Sequence, residues 1–108
     1  MTDLVSRLEA QLGGPRDGAL LRFSLGNALL AAGDPAGAAT SFRDALGFDD
    51  GYSAAWKMLG RALEASGDRP GAAAAYEAGI EAAAQRGDEQ ARKEMMVFLK
   101  RARRPPAT

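Results

Sequence analysis

Leu25-Gly26-Asn27-Ala28-Leu29-Leu30-Ala31-Ala32-Gly33-Asp34 returns 34 residues later as Leu59-Gly60-Arg61-Ala62-Leu63-Glu64-Ala65-Ser66-Gly67-Asp68. Carried on without a gap, the same offset lays Gly37-Ala38-Ala39 on Gly71-Ala72-Ala73, Phe42 on Tyr76 and Leu46 on Ile80. Ten of the 34 positions shared by 19–52 and 53–86 are identical, where chance pairing matches only a few. Self-similarity at this period marks a repeat architecture, and that decides the fold.

Each copy reads as two helices. In the first, about 18–32, Leu21, Leu25, Ala28 and Leu29 share one face at helical spacing. Gly33 ends it, and Asp34 can cap the next helix with Pro35 at its first position. That helix, about 35–47, turns Ala38, Phe42, Ala45 and Leu46 inward. Copy two repeats the scheme with Trp56, Leu59, Ala62 and Leu63 over about 52–66, then Ala72, Tyr76, Gly79 and Ile80 over about 69–85. Gly26 and Gly60 stand mid-helix, where glycine costs roughly 1 kcal/mol against alanine. A repeated cost implies a repeated reason: the neighbouring helix passes too close for a β-carbon.

The pattern resembles the tetratricopeptide repeat, a helix–turn–helix unit with the signature W-x2-L-G-x2-Y…A-x3-F…P. Trp56, Leu59, Gly60, Leu63, Ala72 and Tyr76 match it in copy two. Leu25, Gly26, Leu29, Ala38, Phe42 and Ala45 match it in copy one, with Arg22 at the tryptophan's place. The closing proline is replaced by Asp50 and Ala84. The resemblance implies an all-α chain whose antiparallel helix pairs stack into a short right-handed solenoid.

Working outward, the period places Leu4 and Leu8 where Ala38 and Phe42 stand. Residues 2–14 therefore read as a preceding half-repeat, with a second-type helix over 3–12 ended by Gly13-Gly14. Gly87-Asp88 opens a capping helix over 88–103, with Ala91, Met95, Phe98, Leu99 and Ala102 on one face. Solenoid ends need a polar outer side, and this helix has one. The expectation is one domain over 1–103, about six helices, and a disordered tail over 104–108.

Composition agrees. Alanine supplies 24 of the 108 residues, while Val, Ile and Thr together supply six, so the chain favours helix over sheet. Cysteine and histidine are absent, which removes thiolate chemistry and the commonest base and metal ligand. Asp49-Asp50 falls far short of a calcium site of about six to eight oxygens and reads as a turn before an N-cap for the helix at 52. Arg86-Gly87-Asp88 spells an adhesion tripeptide whose Gly-Asp already has a structural role. No phosphate-loop ending follows the glycines. No catalytic residue, metal ligand or cofactor site is expected. With no signal-peptide core, the chain reads as a cytoplasmic bacterial protein.

Recognition is better supplied. In the family it resembles, the first helix of each repeat lines a concave groove that holds a peptide or a partner's helix. The resemblance puts Leu20, Phe23, Asn27 and Leu30 there from copy one, and Ala54, Lys57, Arg61 and Glu64 from copy two. Such a groove suits a short acidic–hydrophobic peptide. Asn27 and Lys57 occupy places used by the family's carboxylate clamp, but Phe23 and Arg61 replace their companions. A third full repeat is also lacking, which argues against a clamp-type co-chaperone.

Charge is uneven. Residues 1–85 hold seven cations and eleven acids, whereas 86–108 hold seven and three. Arg92, Lys93, Lys100, Arg101, Arg103 and Arg104 form a basic patch, whose alternative use is contact with nucleic acid or an anionic membrane. The zero net charge and the lack of an interleaved aromatic argue against both. Met95, Met96 and Phe98 offer a soft apolar surface for a homodimer.

Overall fold

The computed structural model describes residues 3–105. Its six helices are α1 (Leu4–Glu9), α2 (Ala19–Ala31), α3 (Pro35–Phe48), α4 (Ser53–Ala65), α5 (Arg69–Arg86) and α6 (Glu89–Ala102). No strand occurs among the described residues. Each helix packs on the next in chain order, and α6 also reaches α4. The stack measures 44 × 35 × 18 Å. It consists of two hairpins, α2–α3 and α4–α5, with one helix added at each end.

Three Gly-Asp pairs build the tight joints. The N–H of Asp34 donates to the Leu29 carbonyl at 2.9 Å, and those of Asp68 and Asp88 donate to Leu63 and Ala83 at 2.8 Å. The glycine before each aspartate takes the left-handed backbone this closure requires, at φ +84° for Gly33 and Gly67 and +72° for Gly87. Each aspartate carboxylate then accepts an N–H of the following helix, from Gly37, Gly71 and Ala91. One dipeptide thus satisfies the end of one helix and the start of the next. The α5–α6 joint uses the same device that closes each repeat.

The joint between copies differs from expectation. No side chain caps α4, whose flanking residue is Tyr52. Asp49 instead accepts from the Gly51 N–H and from two guanidinium nitrogens of Arg86 at the end of α5. That ion pair takes the carboxylate away from capping. At the N-terminus, α1 is shorter than the expected helix over 3–12 and leaves Leu4 53% exposed. Turns then lead to Gly13, whose N–H donates to Asp17. Within the expected tail 104–108, the Arg104 carbonyl accepts from Arg69. Residue 2 of the half-repeat and residues 106–108 of the tail lie outside the described residues.

Phe42, Tyr76 and Met95 are the largest fully buried side chains, set among Ala38, Ala45, Ala55, Ala62, Ala72 and Ala83. Small residues bring the helices close enough for these three to fill the interior. A β-carbon on Gly26 would fall 2.5 Å from the Phe42 ring, and one on Gly60 would collide with the Tyr76 ring. The close neighbour anticipated at both glycines is therefore an aromatic ring from the repeat's own second helix. Ala28 and Leu29 are only half-buried, since short α1 covers little of α2.

Arg22 has its own solution at the tryptophan's place. Trp56 Nε1 donates to the Asp50 carbonyl at 2.7 Å, tying α4 to the loop before it. Arg22 ties α2 to its preceding loop through Asp17, and to α3 through Asp44. Its guanidinium also lies over the Phe48 ring, 5.8 Å from the centroid. Cation and indole do the same joining work by different chemistry.

Candidate functional site

On α2 the four groove candidates divide into two that pack and two that do not. Phe23 leans on Tyr52 and Phe42, with ring centroids at 4.9 and 5.7 Å. Leu30 is half-buried against the core. Leu20, by contrast, is 70% exposed. The Asn27 amide oxygen is shut away from solvent and has no hydrogen-bond donor among the described residues. A buried carbonyl-type oxygen without a donor carries a desolvation cost of about 1–3 kcal/mol.

On α4 the groove candidates are already engaged. Lys57 Nζ pairs with Glu94 of α6 at 3.3 Å. The Arg61 guanidinium lies over the Phe98 ring, 4.8 Å from its centroid. Glu64 accepts the Tyr76 hydroxyl at 2.6 Å, and Phe98 lies 5.6 Å from the Tyr76 ring. Burial, then the bond to Glu64, pushes the Tyr76 phenol well above the ordinary tyrosine range. Ala54 is half-buried. The structure thus gathers Arg61, Glu64, Tyr76 and Phe98 into one knot and leaves Leu20 and Asn27 on another helix.

Sequence reasoning missed the residues that engage these candidates. Tyr52 sits at a helix edge outside any helical stripe. Glu94 carried a signal, being the one acid among the six cations of the basic patch. Phe98 was assigned only to the inner face of α6, yet it serves Arg61 as well.

The basic patch is also divided. Arg92 pairs with Glu89 and touches the Met96 sulfur. Arg103 pairs with Glu77 of α5. Lys93, Lys100, Arg101 and Arg104 have no carboxylate partner among the described residues. Arg69 donates to the carbonyls of Arg101 and Arg104, closing the C-terminal end of α6 from outside the helix. Among the described residues no group of three or more Asp and Glu could hold a metal ion, and no helix is long and apolar enough to cross a membrane.

A family profile described as Tetratricopeptide repeat matches residues 29–93, from within α2 to within α6. The chain is similar to TPR repeat-containing protein PA0015 of Pseudomonas aeruginosa, at 46% identity over 98 residues, covering 91% of this chain and 93% of that protein. The solution structure of protein BPP2914 from Bordetella parapertussis superposes with a TM-score of 0.80 at 46% identity, over 94% of this chain and 89% of that one. The crystal structure of the Sgt2 TPR domain from Aspergillus fumigatus superposes with a TM-score of 0.68 at 30% identity, over 96% of this chain and 73% of that one.

Proposed function

Because this chain belongs to the tetratricopeptide-repeat family, we propose that it holds a peptide or helix of another protein along its concave side and catalyses nothing itself. Domains of this family are in general protein–protein interaction modules. The site of this reading is the groove of Leu20, Phe23, Asn27 and Leu30 on α2 with Lys57, Arg61 and Glu64 on α4. One observation carries it. Leu20 and Asn27 lie on the same stripe of α2 as Phe23 and Leu30, and they are the two members left with unmet interactions. A bound segment would cover the leucine and, by turning the Asn27 amide outward from its solvent-closed position, bring its oxygen to a backbone N–H of that segment. The side chains already engaged on α4 would form the stiff opposite wall, which lowers the ordering cost of binding.

The reading treats residues 1–103 as one working unit in the cytoplasm. Its test is capture from a lysate of the source organism with wild type and a Leu20→Ser/Asn27→Ala variant. Leu20 is exposed and Asn27 has no bond at its oxygen to lose, so the variant should keep wild-type helicity and melting. A protein held by wild type and lost by the variant supports the groove. Equal capture by both overturns it.

A further inference from the structure

Counting from the residue that flanks each helix start exposes a difference between α6 and the helices it resembles. Gly26 stands eight positions after Gly18, Gly60 eight after Tyr52, and Met96 eight after Asp88. The burial pattern agrees, because Ala55 and Leu59 on α4 correspond to Ala91 and Met95 on α6, all four buried. In both repeats the glycine is covered by a ring from the following helix, Phe42 or Tyr76. No helix follows α6 among the described residues, and Met96 is 48% exposed. Met96 and Leu99 floor an open depression of about 420 Å³, walled by Lys100, Arg103 and Arg104.

We propose that this uncovered face of α6 docks an acidic amphipathic helix of a partner protein. The charge of the occupant follows from the rim. Cations at a helix C-terminus ordinarily answer its exposed carbonyls. Here Arg69 donates to the Arg101 carbonyl of that last turn and to the Arg104 carbonyl just beyond it, and Lys100 and Arg104 have no carboxylate partner among the described residues. Arg103 stands beside them with its charge answered by Glu77. The helical form follows from position, since the face occupies the place that a second helix covers in each repeat. Met96 in place of glycine holds that helix away from the backbone and offers it a flexible, polarisable side chain.

A second copy presenting the same face would set Lys100 and Arg104 against the same two cations, so self-pairing is disfavoured. Nucleic acid would use the cations but leave the apolar floor uncovered, and Phe98 is already committed to Tyr76 and Arg61. α6 does not touch α2, so this surface and the Leu20–Asn27 groove can fail separately.

The test is fluorescence anisotropy with the full chain and a labelled peptide as long as α6, 14 residues, made of Glu, Ala and Leu with the leucines at helical spacing. Two controls are a rearranged isomer of that peptide, with no apolar face, and a labelled single-stranded oligonucleotide. Binding of the amphipathic peptide should weaken about tenfold in Met96→Ser and in a Lys100→Glu/Arg104→Glu variant, and should survive Leu20→Ser/Asn27→Ala. Exposure of Met96, Lys100 and Arg104 keeps both variants folded, which melting curves verify. Equal binding of the rearranged isomer would reduce the face to a charge effect and overturn the proposal. Tighter binding of the oligonucleotide would overturn it in favour of nucleic acid. Self-association of wild type that Met96→Ser abolishes would assign the face to a second copy instead.

Discussion

Gly60 and Tyr76 show how one residue sets the spacing between two helices. Alanine at position 60 would improve helix propensity by about 1 kcal/mol. Its β-carbon, however, has no room beside the Tyr76 ring. Overpacking of a filled core costs about 1–3 kcal/mol, so the ring should win. Gly60→Ala is therefore expected to lower stability, by up to about 2 kcal/mol, in urea unfolding. Pairing it with Tyr76→Leu should make the double variant less destabilised than the sum of the singles. A Gly60→Ala protein more stable than wild type would show that the ring yields freely. Arg22 makes the complementary point: a departure from the family pattern kept its role because ion pairs with Asp17 and Asp44 replaced an indole.

Among the elements, α6 depends most on a single side chain. Asp88 accepts the Ala91 N–H at its own helix start and the Ser53 hydroxyl at 2.7 Å from the start of α4. These two donors, the hydroxyl first, hold its carboxyl below the usual aspartate value of 3.8. Replacing Asp88 with alanine removes a helix cap worth about 1 kcal/mol and strands a buried hydroxyl. Hydrogen exchange should then quicken in the amides of α6 before those of α5. Uniform quickening over the whole chain would show that α6 is not a separable unit. The Gly-Asp pair at 87–88 announced this joint in the sequence. The contact from Asp88 to Ser53, 35 residues away, could not be read there, because nothing local connects the two starts.

At the scale of the molecule, the lack of histidine predicts how stability follows pH. No side chain has its ordinary pKa between about 5 and 8. On the acid side, Arg22 holds Asp17, Arg86 holds Asp49 and Ser53 holds Asp88 below the usual 3.8. The stabilisation from these depressed groups is complete above that value and is lost as pH falls through their lower, folded values. On the alkaline side, Tyr76 is raised above its ordinary 10.0 by burial and by Glu64. Its contribution is complete below 10 and is lost as pH rises beyond it. Melting temperature should accordingly form a plateau across neutral pH, with a fall at each end. A step near pH 6.5 would contradict this.

The repeat, the helix count, the Gly-Asp joints and the alanine-rich core were legible in the residue order because each rests on local rules: periodicity, capping and propensity. A 34-residue offset repeats those rules in register, so two copies confirm one another. Groove membership was legible only as a set of positions on a helix. Tertiary structure decided which members are occupied, because Glu94, Phe98 and Tyr76 reach Lys57, Arg61 and Glu64 from helices that follow α4 in the chain. It also decided that Met96 stays uncovered, which depends on there being no following helix on that face among the described residues. A side chain's intrinsic chemistry belongs to the sequence, whereas its freedom to bind depends on which neighbours the packing brings within reach.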